Sequence, residues 1–203
     1  MTGGFLKRIV RPWPLIFLIL AIPASAQTER QRNIRDRLYD PNKPQARGDA
    51  LLRYHMLAAH NRARAAVDVP PLVWNAGLAA EAEAYARALA RSRSFRHSDK
   101  AQRSKPQGEN LWMGSSGGFT YAEMAASWVD ERRYYRPRSV LPNISTTGDW
   151  HDVGHYTQVI WRATTAVGCG LASNDDDDYL VCRYTPPGNV YGQSATAEGV
   201  APK

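Results

Sequence analysis

Histidines are the residues of this sequence best suited to metal or proton chemistry, and five occur in 203 residues: His55, His60, His97, His151 and His155. His151 and His155 stand four residues apart in the segment HDVGH, which differs from the zinc-protease pattern HExxH in having aspartate in place of glutamate. Gly148 and Gly154 argue against a helix through this segment, and the aspartate is one methylene short of the usual general base. We therefore expect no zinc-protease site here.

Other local signatures of catalysis or ion binding are missing from the sequence. No glycine-rich phosphate loop occurs. The aspartate run at 175–178 lacks the alternating ligands, central glycine and closing glutamate of a calcium loop, so it predicts a solvated hairpin tip instead.

The first 26 residues have the three parts of a secretory signal peptide. Lys7, Arg8 and Arg11 precede an uncharged apolar run over 14–22, and the small residues at 23–26 (PASA) fit a cleavage site before Gln27. An uncleaved membrane anchor is the alternative, but the run is about half of the ~20 residues that span a bilayer. The prediction is a secreted protein, periplasmic in a Gram-negative source, with no transmembrane segment after cleavage.

Charge is concentrated ahead of the predicted domain. Six of the seven net positive charges fall within residues 1–47, and 27–47 is charged, poor in apolar residues and broken by two prolines. We predict a flexible leader over 27–47, a domain over 48–194 and a tail over 195–203. The domain itself is close to neutral, which argues against nucleic acid as a partner.

Hydrophobic spacing predicts an α+β domain with three or four helices and a small antiparallel sheet. Helices are predicted over 49–66, over 76–92 with Asn75 as N-cap, and from Thr120 to about 133 with a capping box to Glu123. Extended segments are predicted at 72–74, 110–113, 166–172 and 179–185, and 156–161 fits a short helix or a strand.

Two cysteines, Cys169 and Cys182, fall on the last two predicted strands. In an exported protein an isolated pair this close is most simply a disulfide, here one that ties adjacent strands across a hairpin. A metal site is the alternative, although two thiolates alone leave it incomplete.

Several segments together resemble the CAP superfamily of cysteine-rich secretory, antigen 5 and pathogenesis-related 1 proteins, whose shared unit is also called the SCP domain. The shorter matches occur in family order at 60–64 (HNRAR), 70–74 (PPLVW), 95–98 (FRHS), 108–111 (GENL) and 128–131 (WVDE). The longest are 154–161 (GHYTQVIW) and 179–190 (YLVCRYTPPGNV). The resemblance spans about residues 50–194.

The resemblance implies an α-β-α sandwich, in which helices cover both faces of a central antiparallel sheet. It also implies that His97, Glu109, Glu131 and His155 converge in one cleft. Two neutral imidazoles there are suitable ligands for Zn²⁺ or another divalent cation, with the two carboxylates stabilising the ion or orienting the rings.

Three functions are compatible with such a cleft. The first is a non-enzymatic module that binds a metal and a small ligand, a lipid or a sterol, as associated with relatives in this superfamily. The second is a metal-dependent hydrolase with Glu109 or Glu131 as general base. The third is a structural or surface-interaction domain. The single cysteine pair and the absence of a cysteine-rich extension are more similar to bacterial than to eukaryotic members.

Overall fold

Amphipathic spacing at the start of the domain produces its first two helices at the predicted positions. Helix α1 spans Asp49–Ala65 and helix α2 spans Ala76–Ser92, and the side chain of Asn75 accepts a 3.0 Å hydrogen bond from the backbone of Leu78 at the start of α2. The computed structural model describes residues 44–197, so the predicted signal peptide, leader residues 27–43 and tail residues 198–203 lie outside the described part. No helix within 44–197 is both long and apolar enough to cross a membrane.

The third and fourth helices lie between the second and third strands in the sequence. Helix α3 spans Tyr121–Asp130 behind the predicted capping box of Thr120 and Glu123, and a 3₁₀ turn over Glu131–Tyr134 follows it. The segment whose type the sequence left open is helix α4, Gly154–Val159. A 3₁₀ turn over Trp150–Val153 leads directly into α4, so the prediction of a non-helical HDVGH segment is wrong. The glycine at 154 adopts ordinary helical backbone angles and does not interrupt the turn.

Four strands form one sheet, whose members are β1 Val73–Trp74, β2 Gly108–Ser115, β3 Ala166–Ser173 and β4 Asp177–Thr185. Their order is β1-β3-β4-β2, with antiparallel pairing between β3 and β4 and between β4 and β2. The short β1 pairs parallel with β3 and differs from the predicted antiparallel arrangement. A long connection that includes α2 separates β1 from β3, and such connections permit parallel pairing.

Two hydrophobic clusters cover the two faces of this sheet. Along β4, Leu180, Cys182 and Tyr184 contribute to a cluster with α1, α3 and α4. The alternate residues Tyr179 and Val181 contribute to a second cluster with α2. Successive side chains of a strand point to opposite faces, so the predicted α-β-α sandwich is confirmed.

Helix α2 lies unusually close to strand β3 because the strand presents glycines there. A Cβ atom at Gly168 would lie 2.3 Å from the backbone nitrogen of Ala79, and one at Gly170 would lie 2.4 Å from the Cα of Glu83. Cys169, between them, pairs in register with Cys182 and is bonded to it, which confirms the predicted disulfide.

Residues just outside the predicted domain bounds, before 48 and after 194, also contact the domain. Arg47 forms a 2.5 Å ion pair with Asp178, and Gln45 donates a backbone hydrogen bond to Gly117. At the other end Ala195 is buried and accepts a hydrogen bond from the backbone of Arg162. Asp178 is itself buried, so this aspartate is not part of a solvated hairpin tip.

Candidate metal and ligand cleft

An open cleft of about 910 Å³ lies beside the start of strand β2. Its walls come from the loop that precedes β2, the 150–158 region and the 187–191 segment. Strand β2 is at the edge of the sheet. Successive side chains of the strand point to opposite faces, so Glu109 lies on the α2 side and Asn110 on the side of α4. Both predicted histidine ligands, His97 and His155, line this cleft.

His97 is held by Glu109. Its Nδ1 lies 2.6 Å from Oε1 of the carboxylate, which also accepts the backbone N–H of Ser98 at 3.0 Å. Because a carboxylate only accepts, Nδ1 carries the proton, and Nε2 makes no hydrogen bond with any described residue. The Glu109 side chain is 1% exposed and the His97 side chain 60% exposed, so a buried carboxylate orients an accessible ring.

Two arginines form ion pairs with the buried Glu109 carboxylate. Arg183, directly opposite it in the β2–β4 register, lies 3.1 Å away, and Arg103 lies 3.4 Å away. Burial raises the pKa of the Glu109 carboxyl, but the hydrogen bond from His97 and the charge of Arg183 outweigh it, so the pKa lies below its ordinary value. The hydroxyl of Ser98 donates to Glu109 at 2.8 Å and accepts from both arginines. Glu109 is therefore a fixed, ionised anchor.

His155 is held by Glu131 in a parallel manner. Its Nδ1 lies 2.6 Å from Oε1 of Glu131, while Oε2 accepts the backbone N–H groups of His155 and Tyr156 at 2.9 and 3.0 Å. Those N–H groups belong to the first turn of α4, which lacks a side-chain cap of its own. Glu131 thus caps α4 and orients the ring of its second residue at the same time.

The rear of the His155 ring rests on the protein core. The indole of Trp128 stacks on it with centroids 6.2 Å apart and an interplanar angle of 15°. Asn110 donates a 3.1 Å hydrogen bond to the carbonyl of His155. Ring and backbone of His155 are therefore both fixed, which leaves Nε2 as the atom available to the cleft.

The predicted tetrad is present as two histidine–carboxylate pairs that line or adjoin one cleft. Within residues 44–197, no three His, Cys, Asp or Glu side chains lie close enough together to hold a metal ion. The donor chemistry nevertheless fits a divalent ion: two imidazoles are held in the tautomer that presents Nε2, and each donates its other nitrogen to a carboxylate. His97 and His155 are the residues that would bind Zn²⁺ here, and a bound ion would supply positive charge and open coordination positions to an oxygen of a ligand.

The HDVGH segment does not assemble a zinc-protease site. Asp152, in the place of the general base, accepts a 2.6 Å hydrogen bond from Thr147 on the protein surface. His151 does line the cleft, although the sequence assigned it no role.

The sequence analysis did not identify Arg64, which stabilises the structure behind the cleft. Arg64 of α1 is buried and donates to the carbonyls of Pro70, Val159, Trp161 and Thr164. It thereby ties α1 to the end of α4. The signal was present in the segment HNRAR, where an arginine falls on the buried stripe of an amphipathic helix.

Comparison with known proteins agrees with this architecture. The sequence model of the cysteine-rich secretory protein family, CAP, matches residues 57–184. This chain belongs to the CAP family. Pathogenesis-related protein 1B of Nicotiana tabacum is 43% identical over 139 residues, which cover 68% of this chain and 77% of the tobacco protein. Pathogenesis-related protein PR-1 of Medicago truncatula is 37% identical over 157 residues, covering 76% and 84% of the two chains.

Solved structures show the same CAP fold. The crystal structure of NaASP2 with Zn2+ aligns with a TM-score of 0.58 and 27% identity, covering 73% of this chain and 86% of that one. The structure of BmVAL-1 aligns with a TM-score of 0.63, covering 77% and 86%, and at 22% identity it speaks for the fold alone. The predicted family and fold are confirmed, while the bacterial origin stays a prediction.

Proposed function

We propose that this CAP domain is a non-enzymatic binding module whose cleft holds a divalent ion, such as Zn²⁺, through His97 and His155, together with a small ligand. One observation carries the proposal. Each of the two histidines donates Nδ1–H to a carboxylate at 2.6 Å, which holds the other ring nitrogen ready to act as a ligand. The NaASP2 structure, a relative of the same fold, contains Zn2+ by its description.

The surroundings of the two histidines support binding rather than turnover. Glu109 accepts hydrogen bonds from His97 and Ser98 and is paired with two arginines, and Glu131 accepts from His155 and Tyr156. A general base must have a lone pair to take a proton from water. Both carboxylates are instead engaged in holding rings and backbone, so the hydrolase alternative has the weaker support.

The cleft also has room for an organic ligand. At about 910 Å³ it is of the size that holds small molecules, and its lining includes the cationic side chains of Lys100 and Lys105 and the aromatic rings of Trp150 and Tyr191. A ligand with an anionic group and a flat apolar part suits these walls. Sterol and lipid binding, implied by the family resemblance, stays a prediction, as does export directed by residues 1–26.

Calorimetric titration of the mature protein with Zn²⁺ at neutral pH tests the metal part of the proposal. We expect one equivalent to bind, and His97→Ala to lose that binding. His55→Ala is the matched control, because His55 lies on α1 and contacts Tyr54 instead of lining the cleft. Equal titration curves for wild type and His97→Ala would contradict the proposal and favour a structural role for the tetrad.

A further inference from the structure

Positive charge in the domain is concentrated in one segment, residues 132–148, which leads from the end of α3 to the 3₁₀ turn before α4. The segment contains no lysine and no acidic residue, but it contains four arginines: Arg132, Arg133, Arg136 and Arg138. Residues 44–131 and 149–197 together contain thirteen Lys or Arg residues against fifteen Asp or Glu residues. The segment 132–148, hereafter the arginine loop, therefore supplies positive charge to a domain that is otherwise slightly acidic.

The arginine loop is anchored to the domain at several points. Tyr135 forms an isolated antiparallel bridge with Ser145, flanked by backbone hydrogen bonds of 2.9 and 2.8 Å. The side chains of Tyr135, Leu141 and Ile144 are buried and belong to the hydrophobic cluster shared with α1, α3 and α4. The arginines therefore project from a fixed backbone.

All four arginines of the loop are exposed, and none forms an ion pair or a side-chain hydrogen bond with another described residue. Tyr134 and Arg136 flank the buried Tyr135 in the bridged segment and are both exposed, so they lie on one outward face. The guanidinium of Arg133 lies 5.0 Å from the ring centre of Tyr134. The seven-residue stretch that holds all four arginines would span at most about 25 Å even if fully extended. The arginines therefore form one positively charged patch.

Apolar groups are exposed among these charges. Tyr134 is 38% exposed and Val140 45% exposed, and Pro137 between them is exposed as well. The arginine fork forms paired hydrogen bonds with phosphate groups, and tyrosine, with an apolar body and a polar tip, suits the headgroup region of a bilayer. A hydrated polysaccharide would contact the arginines and leave the apolar groups without a partner. The combination therefore favours a phospholipid surface.

We propose that the arginine loop docks this domain on an anionic phospholipid bilayer, with its guanidinium groups on lipid phosphates and Tyr134 among the headgroups. None of the residues that line the cleft falls within 132–148, so the inference is independent of the proposed metal and ligand binding. Near an anionic membrane, each basic residue increases the partition coefficient by about fivefold. Four of them give a preference on the order of several hundredfold, which added salt should reduce by screening.

Co-sedimentation of the mature protein with sterol-free vesicles tests this inference. We expect binding to vesicles of phosphatidylcholine and phosphatidylglycerol in equal parts, weak binding to phosphatidylcholine alone, and release by added salt. Changing all four loop arginines to glutamine should reduce binding to the mixed vesicles by roughly tenfold or more. The matched control removes the same charge elsewhere and should keep most of the binding. Its substitutions, all at exposed positions, are Arg53→Gln, Arg62→Gln, Arg91→Gln and Arg96→Gln.

Equal binding of the two variants to the mixed vesicles would overturn the inference, because net charge alone would then explain the affinity. Both variants keep the basic residues of 27–47, so any contribution from that segment is the same in each. Dextran sulfate, a soluble polyanion without lipid, tests for a polysaccharide partner. If the protein binds dextran sulfate through the loop arginines and does not bind the mixed vesicles, docking on a bilayer is disproved. Circular dichroism verifies that both variants fold.

A measurement on the wild type needs no substitution. Anionic bicelles with a nitroxide-labelled headgroup weaken the NMR signals of backbone amides that approach the lipid surface. Amide signals of 132–140 should lose intensity before those of the acidic hairpin tip at 174–177. Equal losses in the two segments would contradict the proposal.

Discussion

The imidazole of His60 and the phenol of Tyr184 are joined by a 2.8 Å hydrogen bond in the interior of the domain. Nδ1 of His60 lies 2.7 Å from the carbonyl of Met56, so it carries the ring proton and the Tyr184 hydroxyl donates to Nε2. That hydroxyl accepts from Asn110, which also donates to the carbonyl of His155. A chain of hydrogen bonds thus connects α1 to the cleft.

Acid should destabilise the fold through His60. Burial lowers the pKa of His60 from 6.5 to about 4, with a smaller contribution from the charge of Arg64. Below pH 6.5 the His60 imidazole is protonated in the unfolded chain but stays neutral in the folded chain. The free energy of unfolding therefore decreases as the pH falls from 6.5 to about 4, by about 3 kcal/mol in total. Urea unfolding at a series of pH values measures this loss.

A comparison of variants isolates the contribution of His60 from that of other groups. Between about pH 6.5 and 5, His60→Gln should lose roughly 1.5 kcal/mol less stability than the wild type, because glutamine does not titrate in this range. His55→Gln should keep the wild-type dependence. The assignment fails if the His60→Gln and wild-type curves run parallel.

Removing the charge of Glu109 should destabilise the protein strongly. Glu109→Gln leaves Arg103 and Arg183 without their buried carboxylate, and loss of one partner from a buried ion pair costs about 3 kcal/mol or more. Glu83→Gln is the matched control, because Glu83 pairs with Arg87 on the exposed face of α2, where such pairs contribute about 0.5 kcal/mol. Chemical unfolding at neutral pH distinguishes the two, and equal losses would refute the buried network.

A methyl group at Gly170 should force α2 away from the sheet. In Gly170→Ala the new Cβ would lie 2.4 Å from backbone atoms of Glu83, which cannot turn aside as a side chain could. We expect a loss of roughly 2 kcal/mol or more. In Gly77→Ala the nearest atom is a side-chain oxygen at 3.3 Å, and alanine favours the helix, so stability should stay within about 1 kcal/mol of wild type. Thermal unfolding of the pair settles the point.

Arg47 should stabilise the domain although it lies ahead of the first helix. Its ion pair reaches Asp178, whose side chain is 1% exposed, and its guanidinium lies 5.2 Å from the ring centre of Tyr121. Arg47→Ala should cost about 2 kcal/mol, because a buried carboxylate loses its charged partner. Arg93→Ala, which removes exposed pairs with Asp175 and Asp176, should leave the urea midpoint unchanged. A midpoint for Arg47→Ala equal to that of wild type would contradict the docking of residues 44–47.

Local sequence patterns predicted the parts of the fold that depend on neighbouring residues. Asn75 and the Thr120–Glu123 box cap helices through contacts three residues away, and the apolar periodicity of α1 and α2 is independent of the rest of the chain. Cys169 and Cys182 flank a single hairpin, so their pairing also followed from proximity.

Long-range contacts escaped prediction because their partners are far apart in the chain. Arg183 stands opposite Glu109 only through the β2–β4 register, and Asp178 meets Arg47 across 131 residues. The meeting of His97 with Glu109 and of His155 with Glu131 was expected from the family resemblance and not from spacing. His151 was set aside because two glycines were interpreted as helix breakers, whereas a 3₁₀ turn carries the chain through this segment.

The stack of Trp128 on His155 gives the domain an optical reporter of its cleft. The indole is 2% exposed and its Nε1–H donates to the carbonyl of Leu111 at 3.0 Å, so its emission is shielded from bulk water. Charge arriving on the neighbouring imidazole, whether a proton or a metal ion, acts directly on the excited ring. Binding at His155 should therefore change the emission of Trp128, one of six tryptophans in the chain.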